Sequence, residues 1–441
     1  MKILITFYFL NNLGGIINNQ EGLVAGLREL GHEVETKCLV WKDKVRVSSA
    51  RRSLEQDVDA TGMSFDQELG WSWPASARIP YKGKHNLRRW KEYASQFDLI
   101  IWQIPVPTKQ AANRGNTDWL ELYDVPVKQI IYTHDGNIKD YPWIYKIVDK
   151  LHGAVGVHPC AYHGLANVPL PRAMAFSAQQ FMAERVAEAN KNRSTKNGFL
   201  SLQTLKGWKH VDDLVRAVPH MQNDQPKLLA GGGIHWYYMT SKEKMRKEYI
   251  CSKDRDPDAK KSWIGKAIWD IAMNAGLYYL GYITNSEREM HMRYSKFVVD
   301  PSWSKKYAQV GDHFNRTIVE GIINGCVPIA RNFGVATNEE GLGEFFLPGE
   351  NYVMIPWDAT PKEFAEAVDS AANMSKKARE QMLESGRGML HLWDSKFVAQ
   401  TFVDLANGKP AGVYKRKNDR GKFSEEMEAK SNEVFDEFFA G

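Results

Sequence analysis

The chain has 441 residues, 43% hydrophobic and 25% charged, with 58 basic against 53 acidic side chains and a net charge of +5. That length exceeds one ordinary hydrophobic core and calls for two domains, and so mild a charge excess excludes the extreme balance of a dedicated nucleic-acid binder. Cys38, Cys160, Cys251 and Cys326 are scattered, with no CxxC and no clustering with His, which argues against a disulfide framework and structural zinc and fits a reducing cytoplasm.

Lys2 precedes an apolar run that could pass for a signal peptide, but Asn11 and Asn12 cut it short and no small-residue cleavage site follows, so Ile3 to Tyr8 reads as a buried first strand. No window approaches the roughly 18 apolar residues of a membrane span. Further short apolar runs have the near-continuous character of parallel strands buried on both faces. They are Leu99 to Trp102, Gln129 to Tyr132, Phe199 to Leu202, Lys227 to Ala230, Phe297 to Val299 and Val327 to Ala330. Between strands lie helical patterns. Leu23, Leu27 and Leu30 share one helix face, Gly31 supplies a stop, and Val34 opens another strand.

The alternation predicts a doubly wound α/β chain in which the pattern runs twice. The polar stretch from Glu188 to Asn197 reads as the linker. The expected domains are 1–190, 191–392, and a tail over 393–441 in which an amphipathic helix from Trp393 to Leu405 packs back before Gly408 breaks it. Two Rossmann-like halves leave a cleft between the carboxyl ends of their sheets, where ligands of such sheets bind.

Four local patterns carry chemistry. Gly14-Gly15 lies between the first strand and helix, where backbone N–H groups can approach an anion; a purely conformational glycine turn is the plainer alternative. It is not GxGxxG and no GK[ST] follows. Lys206-Gly207 follows the strand Phe199 to Leu202 and precedes a helix carrying Val211, Leu214, Val215 and Val218. A lysine at that junction can neutralise a diphosphate, or can be an ordinary exposed loop lysine. Asp312, Arg316 and Glu320 stand at the start and on one face of a helix that Gly325 ends. A carboxylate there can accept hydroxyl hydrogen bonds and Arg316 can assist a phosphate; the alternative is a surface i,i+4 ion pair. Finally, His134-Asp135 ends a strand, where a carboxylate can orient or deprotonate a hydroxyl, or simply cap the next helix.

The order of Gly14-Gly15, Gly31-His32-Glu33-Val34, Lys206-Gly207, Gly281-Tyr282, Pro301-Ser302 and Asp312 to Glu320 with Gly325-Cys-Val-Pro resembles the retaining GT-B enzymes of glycosyltransferase family 4 over nearly the whole chain. The resemblance implies two Rossmann-like domains facing across a cleft and a UDP-sugar donor without an obligatory metal. By it, Asp312 touches the transferred sugar, Glu320 the ribose, Lys206 the diphosphate, and backbone near Gly281 and Tyr282 the base. It also implies a same-face reaction in which the leaving phosphate helps remove the acceptor proton. The chain departs from the pattern at Ser201, where family members carry arginine, and at Asp312, where they carry Glu; Arg316 or Lys209 are the candidates to restore the charge.

Asp98 to Pro105, Tyr132-Thr-His134-Asp135 and Thr204-Leu-Lys206-Gly207 narrow the resemblance to the T-even phage α-glucosyltransferases that modify hydroxymethylcytosine in DNA. It implies transfer of glucose, or of arabinose given Ser201 and Asp312, onto a flipped-out base, with His134 and Asp135 at the acceptor side, in a host cytoplasm. A duplex DNA partner demands basic surface, offered by Lys42, Lys44, Arg51, Arg52, Lys82, Lys84, Arg88 and Arg89, with Trp71, Trp73 and Trp90 as candidate stacking rings. Such a charge run is also what a plain solvated face carries. The other readings are a transferase with a saccharide or lipid-linked acceptor, and a non-catalytic GT-B scaffold that binds DNA.

Overall fold

The computed structural model describes residues 1–7, 15–38, 64–65, 84–103, 118–134, 144–158, 161–162, 165, 168–203, 209–231, 266–281, 283, 285–302, 316–331, 346–356, 359–409 and 411. These form two compact units: residues up to 180 together with those from 391 onward, and residues 181–390. Each has its own parallel sheet.

The sheet of the first unit runs in the order β3-β2-β1-β4-β5-β6-β7. Its strands are β1 (Lys2–Phe7), β2 (Glu33–Cys38), the two-residue edge β3 (Ser64–Phe65), β4 (Leu99–Trp102), β5 (Lys128–Thr133), β6 (Gly153–Gly156) and β7 (Arg172–Met174). Every pairing is parallel, so every strand is followed by a crossover and both faces are covered. Ile3, Ile5, Leu99, Ile101, Ile130 and Tyr132 point to one face, against Leu23, Val24 and Leu27 of α1 (Gly15–Glu29). Leu4, Ile100, Trp102 and Ile131 point to the other, where Trp90 of α2 (Lys84–Ala94) is fully buried. Helix α1 begins well before Leu23, the first residue of the sequence pattern, and Gly31, at φ +83°, ends it as expected.

The second unit holds α3 (Met182–Lys191), β8 (Phe199–Leu202), α4 (Val211–Ala217), β9 (Lys227–Ala230), α5 (Lys266–Asn274), β10 (Leu277–Gly281), α6 (Asn285–Tyr294) and β11 (Phe297–Asp300). It continues through α7 (Arg316–Ile323), β12 (Val327–Arg331), β13 (Val353–Ile355), α8 (Pro361–Ala372) and α9 (Lys376–Arg387). Its sheet order is β10-β9-β8-β11-β12-β13. The order reverses at β8/β11, the kind of switch point outside whose carboxyl ends α/β sheets bind ligands.

The last helix, α10 (Ser395–Ala406), returns to the first unit and packs along α1 through Val398, Ala399 and Phe402. The approach requires Gly26, where a Cβ would sit 1.9 Å from the Ser395 carbonyl oxygen. Trp393, expected inside that helix, lies in a 3-10 turn before it and stacks on Phe176 at 4.2 Å.

The stretch from Glu188 to Asn197 is not a free linker. Its first residues end α3, and Lys196 is 7% exposed, with its Nζ sharing three N–H donors among the carbonyls of Met292 (3.2 Å), Arg293 (2.8 Å), Ser295 (3.1 Å) and Asn324 (2.7 Å). These are the carbonyl-rich ends of α6 and α7, which lack intrahelical donors and carry the negative end of each helix dipole, so one buried ammonium serves two helices. Together with Arg185, this ties the segment after residue 180 into the second unit.

Candidate functional site

In the second unit the site centres on Glu320. The i,i+4 spacing on α7 puts Arg316 and Glu320 on one face, and Gly321 lets that helix lie against Val298 of β11, where a Cβ would meet Val298 Cγ1 at 2.4 Å. That tight seat buries the pair, so it is not the surface ion pair that spacing alone would suggest. Glu320 is 3% exposed at its side chain and Arg316 13%. Arg316 Nε donates to Glu320 Oε1, and Arg288 Nε of α6 lies 3.5 Å from Oε2. Around them Arg185 Nη2 donates to Glu289 at 2.7 Å, and Asn324 Nδ2 donates to Glu289 Oε2 at 3.2 Å and to the Glu320 backbone carbonyl at 2.9 Å.

Three guanidiniums thus face two carboxylates. Burial pushes the Glu320 carboxyl up, but Arg288, Arg316 and Arg185 together outweigh it and hold the group down at about 2, so Glu320 is ionised at any working pH. The result is a buried anion whose two oxygens are already engaged, set among side chains of net positive charge. A diol that binds Glu320 must compete with these guanidiniums for its lone pairs. Arg316, expected to assist a phosphate, donates through its Nε to this carboxylate.

At the carboxyl end of β8, Ser201 is buried, and among the described residues its hydroxyl has no hydrogen-bond partner. Gln203 is 5% exposed; its Oε1 accepts from Ser302 Oγ at 3.2 Å, while its Nε2 donates to no group among the described residues. Two polar groups stranded at the sheet's switch point are what a ligand would satisfy. Nothing in the sequence around Gln203 singles it out; the position at the strand's end is the one available cue.

Nearby, His210, Asp212 and Asp213 form the one group among the described residues with metal-ligand spacing. It fits a cation poorly. Asp213 already receives Arg331 Nη2 and lies 3.3 Å from His210 Nδ1, while burial and the neighbouring Asp213 push the Asp212 carboxyl well above its usual range.

In the first unit the site centres on His134, immediately after β5. Its ring lies 4.9 Å from that of Tyr132, and its Nε2 is 3.5 Å from Asn19 Nδ2 on α1. Burial first, and then the neighbouring His158, bring the His134 pKa down to about 3, so the ring is neutral and a weak proton acceptor. Asn19 itself is fully buried, accepting from the Ala178 backbone N–H at 2.8 Å and from Tyr132 O–H at 3.4 Å. The next residue, Gln20, is fully buried, with neither amide atom partnered among the described residues. Gly15 is the first residue of α1.

On α2, Arg88 is exposed and lies 3.5 Å from Glu92 of the same helix. Lys84 and Arg89 belong to that helix. Trp90 is not a stacking ring: it is fully buried, donates Nε1 to the Leu122 carbonyl at 2.9 Å and packs on Trp102 at 5.7 Å. Its indole fills the core because its position on α2 faces the sheet. Gly14, Asp135, Lys206, Gly207, Tyr282, Asp312, Lys42, Lys44, Arg51, Arg52, Lys82, Trp71 and Trp73 lie outside the described residues.

No known family model matches the chain, and no curated protein sequence matches it. Solved structures do. The Anabaena Alr3699/HepE protein in complex with UDP is 12% identical at TM-score 0.61, over 92% of this chain and 100% of that one. A glycosyltransferase from Rickettsia africae is 12% identical at TM-score 0.59, over 92% and 97%. An α-glucosyltransferase in complex with UDP and a 13-mer DNA containing an HMU base is 14% identical at TM-score 0.54, over 92% and 99%. Likeness at these identities is likeness of fold: two parallel-sheet Rossmann-like domains of the GT-B glycosyltransferase type. Among the described residues no helix is long and apolar enough to cross a membrane.

Proposed function

We propose that the protein is a UDP-sugar-dependent retaining glycosyltransferase that transfers glucose or arabinose to 5-hydroxymethylcytosine in double-stranded phage DNA, reached by base flipping. The observation that carries the reading is the GT-B fold, found also in the UDP complexes above and in the α-glucosyltransferase bound to UDP and HMU-containing DNA. The ionised Glu320 in its arginine-rich setting supports a donor role for the second unit, with Glu320 accepting from ribose hydroxyls and the surplus positive charge favouring a diphosphate.

In this reading the acceptor hydroxyl oxygen bonds to the anomeric carbon, the bond from that carbon to the UDP oxygen breaks, and the departing phosphate takes the hydroxyl proton. Lys206, Gly207, Gly14 and Gly15 stabilise the charge that develops on the diphosphate, Tyr282 and Asp312 hold base and sugar, and His134 and Asp135 orient the acceptor. A neutral His134 agrees with an orienting role better than with proton abstraction. No metal is assigned to the reaction. Lys42, Lys44, Arg51, Arg52, Lys82, Lys84, Arg88 and Arg89 supply sequence-tolerant phosphate contacts.

The test is incubation with labelled UDP-sugars and either hydroxymethylcytosine-containing or unmodified DNA, read as a mass gain on the isolated nucleoside. Gain on the modified nucleoside alone is expected. Label moving only to oligosaccharide or lipid would transfer the assignment to a saccharide acceptor. Absence of turnover with every donor would favour a non-catalytic scaffold.

A further inference from the structure

The hydrogen bonds around Asn19 fix more than a helix position. Its Oδ1 accepts from the Ala178 N–H at 2.8 Å, a backbone donor that cannot be turned into an acceptor. The single Tyr132 O–H has three oxygens in reach, this one at 3.4 Å and the Ala175 and Phe176 carbonyls at 3.1 Å each, so the Ala178 bond is what fixes the amide. The amide of Asn19 is therefore oriented without ambiguity: the oxygen faces Ala178, and the other branch, the NH₂ group, faces His134 Nε2 at 3.5 Å. An NH₂ group only donates, so Nε2 must present its lone pair.

We infer that Asn19 is a positioning residue that holds His134 as the neutral tautomer protonated at Nδ1, making the ring a hydrogen-bond donor through Nδ1. The inference deepens the acceptor-side role proposed for His134 and rests on that reading for its functional consequence, though the tautomer itself does not. A histidine in this state cannot abstract a proton through Nε2, because that nitrogen is already occupied by a donor. It can hold an acceptor oxygen through Nδ1–H. The placement of α1 is itself rigid: a Cβ at Gly22 would come 2.4 Å from the Ala178 carbonyl oxygen, so Asn19 and Ala178 keep their register. Among the described residues, the groups facing the ring are Asn19, Tyr132 and His158, the last 3% exposed with its Nδ1 accepting from the Ala161 N–H.

The discriminating substitution is Asn19→Asp. It is isosteric and keeps an oxygen for Ala178 and Tyr132, but replaces the donor branch with an acceptor. His134 should respond by moving its proton to Nε2, and its pKa should rise because an imidazolium gains a carboxylate partner. Histidine-15N NMR of the full-length protein reads this without any ligand, since protonated and lone-pair ring nitrogens resonate in separate regions; His134→Gln identifies the signals. The expected result is an Nδ1-protonated ring in the native protein and an Nε2-protonated or doubly protonated ring in Asn19→Asp. An Nε2-protonated ring in the native protein overturns the inference, and that measurement needs no variant to fold.

With UDP-glucose and hydroxymethylcytosine DNA, Asn19→Asp should lower kcat by on the order of 10²-fold with the KM for UDP-glucose unchanged. Asn19→Ala, which loosens the ring without inverting its tautomer, should lose less. Equal losses in both variants would reduce Asn19 to packing. Absence of turnover in the native protein would instead count against the proposed reaction while the NMR result still decides the tautomer.

Discussion

Replacing Glu320 by Gln removes a charge, with almost no change in shape, from the most electrostatically loaded position described in the second unit. The carboxyl is held at about 2 against an ordinary 4.5, which corresponds to about 3.4 kcal/mol of differential interaction. A depressed carboxyl contributes stability that is present above the unfolded pKa and disappears as pH falls through the folded one, so the window is roughly pH 5 to 2. Between pH 6 and pH 4 the native protein should lose about 0.8 kcal/mol that Glu320→Gln does not lose. At pH 7 the variant should be less stable by about 2–4 kcal/mol, because Arg288 and Arg316 keep their burial and lose their counter-charge. The assay is urea unfolding of the second unit at several pH values, followed through Cys326, which is buried in that unit, by labelling with a thiol reagent active in acid and peptide mass spectrometry. Stability curves for the two proteins that stay parallel from pH 7 to pH 4 would refute the electrostatic account of Glu320.

Three further outcomes are expected. Gly26→Ala should cost more than Gly31→Ala in thermal unfolding, about 1–3 kcal/mol or more against about 1, since the first drives a Cβ into the Ser395 carbonyl while the second meets only its own positive φ. Lys196→Met should destabilise the second unit by about 1–3 kcal/mol in urea melts, because Met fills the space but leaves the carbonyls that end α6 and α7 without their donor; native-like stability would make the lysine's bonds dispensable. Arg88→Ala should weaken binding to a random-sequence duplex and reduce the slope of log K against log salt by about 1, and an unchanged slope would take α2 off the DNA-facing surface.

Strand positions were legible in the sequence because a parallel strand buried on both faces must be apolar at every position. Leu99 to Trp102, Phe199 to Leu202 and Lys227 to Ala230 coincide with β4, β8 and β9. Helix stops at Gly31 and Gly325 were legible for an equally local reason: a left-handed residue is wanted there and glycine adopts it at no steric cost. Strands β6, Gly-Ala-Val-Gly, and β7, Arg-Ala-Met, carry no such signal, because small side chains and three- or four-residue lengths leave no periodicity.

The doubly wound α/β pattern, the shared face of Arg316 and Glu320, and the place of His134 at a strand's end follow from the chain alone, each a matter of residues within one turn or one strand. How those residues are charged and held depends on packing between distant segments. Arg185 and Arg288 reach Glu320 and Glu289 from separate helices, Asn19 meets His134 across 115 positions of chain, and Lys196 joins the ends of two helices far from it in sequence. A buried polar group takes its protonation, tautomer and donor or acceptor role from whatever packing brings against it, and no pattern along the chain records that partner.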